Sequence, residues 1–130
     1  MGVVKMWLLV GAGGFVGAVL RYGISGWIQT ATARPLFPTG TLFVNATGSF
    51  LLGLLFWLGE TRGILSAETR VFAAIGVLGS FTTFSTFSLE TLNLYAGGER
   101  LYAVFNILAN LVTCLGAMVL ARWLVLTLWE

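Results

Sequence analysis

Residues 79–88 read GSFTTFSTFS, six hydroxyl side chains among three phenylalanines spaced three apart. Asn45 upstream and Asn106 and Asn110 downstream add three amides to a sequence in which 58% of residues are hydrophobic and 9% charged. These are neutral groups that can donate hydrogen bonds, and the edge of a phenyl ring is the positive end of its quadrupole. The inventory excludes much else. There is no histidine and a single cysteine, Cys114, so soft-metal sites and Ser/His/Asp catalysis lack their residues. The acids Glu60, Glu68, Glu90, Glu99 and Glu130 all read as lying at span ends or in loops. A proton relay or a cation pathway built on carboxylate rings therefore has nothing to use at membrane depth. Donors without acidic neighbours favour an anion. Phe84 and Phe87 project to similar sides of a helix, a spacing that suits core or lipid contact as well as contact with an ion.

The elements that must position these groups are membrane spans. The mean hydropathy is +0.94 and charged residues are far below the roughly 25% of a soluble domain. Four apolar stretches, 6–28, 40–59, 71–94 and 101–126, are each near the ~20 residues that cross a bilayer as a helix. The expectation is an all-α membrane protein, one domain over residues 1–130. The first stretch follows Lys5 as a signal sequence would, but it is long and glycine-patterned and three more spans follow, so it reads as part of the mature protein. A net charge of +2 without a polybasic cluster argues against nucleic acid as a partner. Lys5, Arg62, Arg70 and Arg122 fall on one side of the membrane and Arg21, Arg34 and Arg100 on the other, almost no bias. Either Arg21 is intramembrane and does not count, or the chain inserts both ways and assembles as an antiparallel dimer.

Each span carries a signature. The first has Gly13 and Gly17 at G-x-x-x-G spacing, with Gly14 and Ala18 in the same relation, which lets helices approach closely in lipid. The same glycines in GAGGFVG do not make a nucleotide loop, which needs a preceding strand and a soluble fold. The linking segment QTATARPLFPTG holds both prolines and leaves room for a re-entrant or interfacial piece. In the second span Asn45 must find a partner, either another helix or a water-filled or ion-lined cavity. The third span has its midpoint near Ser80, just after Gly76 and Gly79, so a helix break there competes with a continuous helix whose hydroxyls bond back to carbonyls four residues earlier. On the fourth, Tyr102, Asn106, Asn110 and Thr113 share one face, the wall of a pathway or interhelical glue. Arg122, Trp123 and Trp129 fit an interfacial anchor, and Cys114 reads as packing.

VNATGSF at 44–50, GVLGSFTTFSTFS at 76–88, GAGGFVGAVLRY at 11–22 and GTL at 40–42 closely resemble the signature of the Fluc (CrcB) family of small bacterial fluoride channels. The resemblance runs through all four spans in order. It implies four transmembrane helices with a break in the third, assembled as an antiparallel dual-topology homodimer with two fluoride pathways. By motif position Asn45, Phe84 and Phe87 would face the anion, with Ser85 and Thr86 as additional lining. It also implies a structural sodium ion at the dimer centre held by the main-chain carbonyls of Gly79 and Thr82. Arg21 would sit near the dimer interface or a vestibule. Ser80 and Phe81 replace the Gly and Leu common in the motif, neither being an implied ligand side chain. The location implied is the bacterial cytoplasmic membrane, and the role is export of fluoride. Two other readings differ in class. A small dual-topology multidrug exporter needs a carboxylate in the first span, where this sequence has none. A structural membrane subunit would use the polar stripe only to hold helices together.

Overall fold

The computed structural model describes residues 2–63 and 65–128. Four helical spans are long and apolar enough to cross a membrane: Val3–Ala31, Thr39–Glu60, Ala67–Ala96 and Arg100–Leu128. The helices are α1 (Val3–Ala31), α2 (Thr39–Arg62), α3 (67–81), α4 (Phe84–Ala96) and α5 (Arg100–Leu128), with α3 and α4 together making the third span. Each span runs a few residues beyond its apolar stretch, because a helix continues until its end groups find other partners. At 29 residues α1 is about 43 Å long.

Gln29 ends the first span more tightly than the sequence suggests. Its Nε2 donates to the carbonyls of Arg34 and Phe37 at 2.9 and 3.0 Å. Its Oε1 accepts from the Gly40 N–H and the Thr39 hydroxyl at 3.1 and 3.2 Å. One amide thus closes the 32–38 loop and caps the start of α2, and the chain turns without a re-entrant piece.

The most extensive packing is α2 against α5 and α1 against α3. The glycines explain the second pair. A Cβ at Gly13 or Gly17 would strike the Phe72 or Val77 carbonyl, so the two backbones touch. Residues Arg70–Leu78 form a π-helical stretch, a rare geometry often found near functional sites. One buried apolar cluster is formed by Val44, Leu78 and Phe81, flanked by Ile24, Leu52 and Leu55. Most of the apolar surface faces outward, as lipid or a partner requires.

The third span is broken, but not at its glycines. Gly79 is helical, and Gly76 is a contact residue whose added Cβ would lie 2.9 Å from the Gly13 Cα. The break falls at Thr82 and Thr83, both extended, with φ/ψ of −86/157 and −151/114. Thr residues suit extended backbone, and the Thr83 hydroxyl caps α4 by accepting from the Thr86 N–H at 3.2 Å.

Candidate functional site

The break is held open from α2. Asn45 Oδ1 accepts the Thr83 N–H at 2.8 Å while its Nδ2 donates to the Thr83 carbonyl at 3.1 Å. A single side chain satisfies both main-chain groups of one residue, the condition under which irregular backbone is tolerated at membrane depth. Gly48, one turn on, makes the approach possible, since a Cβ there would meet the Thr82 methyl.

From Asn45 the amides continue as a relay. Asn45 Nδ2 also donates to Asn110 Oδ1 at 3.2 Å, and Asn110 Nδ2 donates to the Asn106 Oδ1 and main-chain carbonyl, both at 3.0 Å. Asn106 Nδ2 donates to the Thr91 hydroxyl at 2.9 Å, which donates to the Phe87 carbonyl at 2.7 Å. Asn45, Asn106 and Asn110 are 8%, 0% and 6% exposed, so these bonds are made away from solvent, where each unmade one is costly.

Beside the relay lies a cleft of about 270 Å³ whose walls include Asn45, Asn110, Thr82, Thr83, Phe84 and Phe87. The Phe84 and Phe87 rings are 5.4 Å apart and tilted by 53°. Phe87 is buried, but Phe84 is 76% exposed, its outer face open to whatever covers this side of the chain. Among the described residues no carboxylate lines this cleft.

The other sequence-derived residues divide. Ser85 and Thr86 gather at the α4 cap, their hydroxyls 3.3 and 2.9 Å from the Thr83 hydroxyl. Tyr102 and Thr113 share a face with the asparagines but stand apart from the relay. The Tyr102 ring meets Phe37 at 6.5 Å, and the Thr113 hydroxyl bonds back to the Ala109 carbonyl at 2.7 Å. Arg122 stacks over the Trp57 ring at 5.1 Å and Trp123 is exposed, in keeping with an anchor, while Trp129 lies outside the described residues. Cys114 and Ser49 line the cleft, so the cysteine borders the site as well as packing.

Glu90 corrects the sequence reading of the acids. It lies inside α4, six residues before that helix ends, and accepts from the Thr41 hydroxyl at 2.8 Å, its other oxygen buried and without a hydrogen-bond partner among the described residues. The apolar stretch ends close after Glu90, which made it look terminal; Thr41, one turn before Asn45 on α2, draws it into the protein.

Gly79 and Thr82 occupy the last turn of α3 and the position just beyond it. Terminal carbonyls there lack partners within the helix and carry partial negative charge, a donor set suited to a hard cation such as sodium. Arg21 from α1 takes the neighbouring carbonyl, its Nε donating to Ser80 O at 3.1 Å. Two main-chain oxygens from one chain fall short of a full shell, so a second copy would have to complete it. Among the described residues no three His, Cys, Asp or Glu side chains group to hold a metal ion.

These elements define a class: a multi-pass membrane protein of four spans, the third interrupted, with buried amides beside an aromatic-lined cleft. The family model described as "CrcB-like protein, Camphor Resistance (CrcB)" matches residues 8–122, and the chain belongs to that family. It is 47% identical over 115 residues to "Fluoride-specific ion channel FluC 1" of Methanosarcina acetivorans, covering 88% of this chain and 86% of that protein. It is 54% identical over 96 residues to "Fluoride-specific ion channel FluC" of Thermus thermophilus, 74% of each. A protein of that second name from Ruminiclostridium cellulolyticum is 44% identical over 119 residues, 92% of this chain and 91% of that one.

Proposed function

We infer that this chain is a fluoride-selective channel and not an enzyme, in accord with the relatives that carry that name. The observation that carries the reading is the cleft where the Asn45 and Asn110 amides and the Phe84 and Phe87 rings converge with no carboxylate among the described residues. A small anion there meets positive ring edges and amide hydrogens already held by neutral acceptors, with no negative side chain among the described residues to repel it. Thr83 is held extended by Asn45, so the cleft passes the break without exposing unsatisfied main chain.

The functional unit is an antiparallel homodimer inserted in both orientations, in the bacterial cytoplasmic membrane, exporting fluoride. The even spread of Lys and Arg supports dual insertion, and the exposed Phe84 ring supports a second copy covering that side. Sodium, bound by the Gly79 and Thr82 carbonyls of both copies, would neutralise the partial charge at the broken helix ends. Single cysteines near each end of a Cys114→Ala chain should label from both sides of the membrane; one-sided labelling refutes dual insertion.

The direct test is efflux from liposomes holding the purified protein, with fluoride and chloride read in parallel by ion-selective electrodes. Rapid fluoride release with chloride retained is expected. Release of neither ion from verified dimers would favour an exporter of other substrates or a structural subunit.

A further inference from the structure

Every hydrogen that Asn45 and Asn110 can donate is already committed. The two on Asn45 Nδ2 go to the Thr83 carbonyl and to Asn110 Oδ1, at 3.1 and 3.2 Å. The two on Asn110 Nδ2 go to the Asn106 carbonyl and Asn106 Oδ1, each at 3.0 Å. An anion entering the cleft beside these residues finds no free amide hydrogen on either. It must take one from an acceptor that already holds it.

The four bonds are not equally replaceable. The Asn45 bond to the Thr83 carbonyl is paired with a second bond to the Thr83 N–H, and losing it would loosen the break. The Asn110 bonds close onto its own helix one turn earlier. The bond from Asn45 Nδ2 to Asn110 Oδ1 joins side chains of two different helices, has the longest distance of the four, and involves two residues that both line the cleft.

We propose that Asn110 Oδ1 is a displaceable internal acceptor that sets anion selectivity: an ion gains the Asn45 amide hydrogen only by replacing it. This rests on the channel reading above. A charged acceptor forms a bond roughly twice as strong as a neutral one, but it must also shed water to enter. Fluoride, small and with its charge concentrated, accepts hydrogen bonds more strongly than a neutral amide carbonyl. Chloride, larger and with diffuse charge, accepts weakly and does not displace it. Selectivity then comes from competition with a built-in acceptor as well as from the size of the cleft. Asn106 is a positioning residue in this scheme: fully buried, it holds both Asn110 hydrogens and so keeps Oδ1 turned toward Asn45.

The test begins with wild-type protein in liposomes, where fluoride release with chloride retained establishes the channel. Asn110→Ala removes the competing acceptor, and the fluoride-to-chloride flux ratio should fall by about tenfold, the net worth of one hydrogen bond. A ratio equal to that of wild type, in a variant of the same oligomeric size, overturns the proposal and leaves the channel reading intact. Asn110→Asp keeps the side-chain volume and puts a charged acceptor on Asn45, so fluoride flux should drop by about tenfold or more; wild-type flux in that variant also overturns it. Should either variant fail to assemble, the wild-type protein decides. With ¹⁵N-labelled asparagine, fluoride should shift the Asn45 side-chain amide signal while equal chloride does not, and equal responses to both ions refute the inference. A channel that releases neither ion would instead sink the functional reading itself.

Discussion

Asn45 grips Thr83 by both main-chain groups, accepting its N–H at 2.8 Å and donating to its carbonyl at 3.1 Å. The side chain of one span thereby replaces the helical hydrogen bonds that another has lost. The stability of the break and the chemistry of the cleft meet in this residue.

Asn45→Asp keeps the shape of the side chain and its bond from the Thr83 N–H, but sets a carboxylate oxygen against the Thr83 carbonyl. It also removes the donor to Asn110. The variant should lose about 1–3 kcal/mol of stability, the cost of a buried group left unpaired. Fluoride efflux should fall steeply in the same protein. Thermal unfolding in detergent and liposome efflux measure the two, and unchanged values for both would remove Asn45 from the site.

Phe84→Ile and Phe87→Ile should separate wall from scaffold. Both keep apolar bulk but lose the ring edge and the contact at 5.4 Å. Efflux should decrease by about fivefold for Phe87→Ile, an aromatic interaction being worth about 1 kcal/mol. Oligomeric size by gel filtration should stay that of wild type. Unaltered efflux from well-folded protein would return the rings to a packing role.

Gly17→Leu tests the approach of α1 to α3. Any Cβ at this position runs into the Val77 carbonyl, and a longer side chain forces the helices apart. Overpacking of this kind costs about 1–3 kcal/mol. The melting temperature should fall well below that of Gly11→Leu, where nothing lies near the added atom. Equal melting temperatures would show that the contact carries no stability.

Exchanging sodium for a large organic cation should lower both the melting temperature and fluoride efflux, if carbonyls from two copies share an ion at the break. An unaltered melting curve in sodium-free buffer would argue that Arg21, bonded to Ser80 O, satisfies the end of α3 without one.

Cys114 supplies a probe without engineering. It lines the cleft of about 270 Å³ with Asn45 and Asn110, so a small thiol reagent attached there should obstruct flux. Cys114→Ala protein should be indifferent to the reagent. Equal inhibition of both would place the effect elsewhere.

The sequence by itself determined the solvent of this protein and the number of its spans. Four apolar stretches of bilayer length admit few other folds, and hydrocarbon forces each to be helical. It also determined the inventory of the cleft, because amides, hydroxyls and rings are properties of residue type. Close contact at Gly13 and Gly17 was legible from their spacing alone. Tertiary structure decided where the third span breaks. Intrinsic propensity points to Gly76 and Gly79, but those glycines are used for contact or remain helical, and the gap opens at Thr82 and Thr83, where a distant Asn45 can satisfy it. Only packing divided the polar face of α5, sending Asn106 and Asn110 inward while Tyr102 met Phe37 and Thr113 turned back on its own helix. Glu90, read as terminal, was drawn inside by Thr41 from another span. For the break and for Glu90 the deciding partner lies on a different helix, and one-dimensional spacing records which residues share a face but not what that face meets.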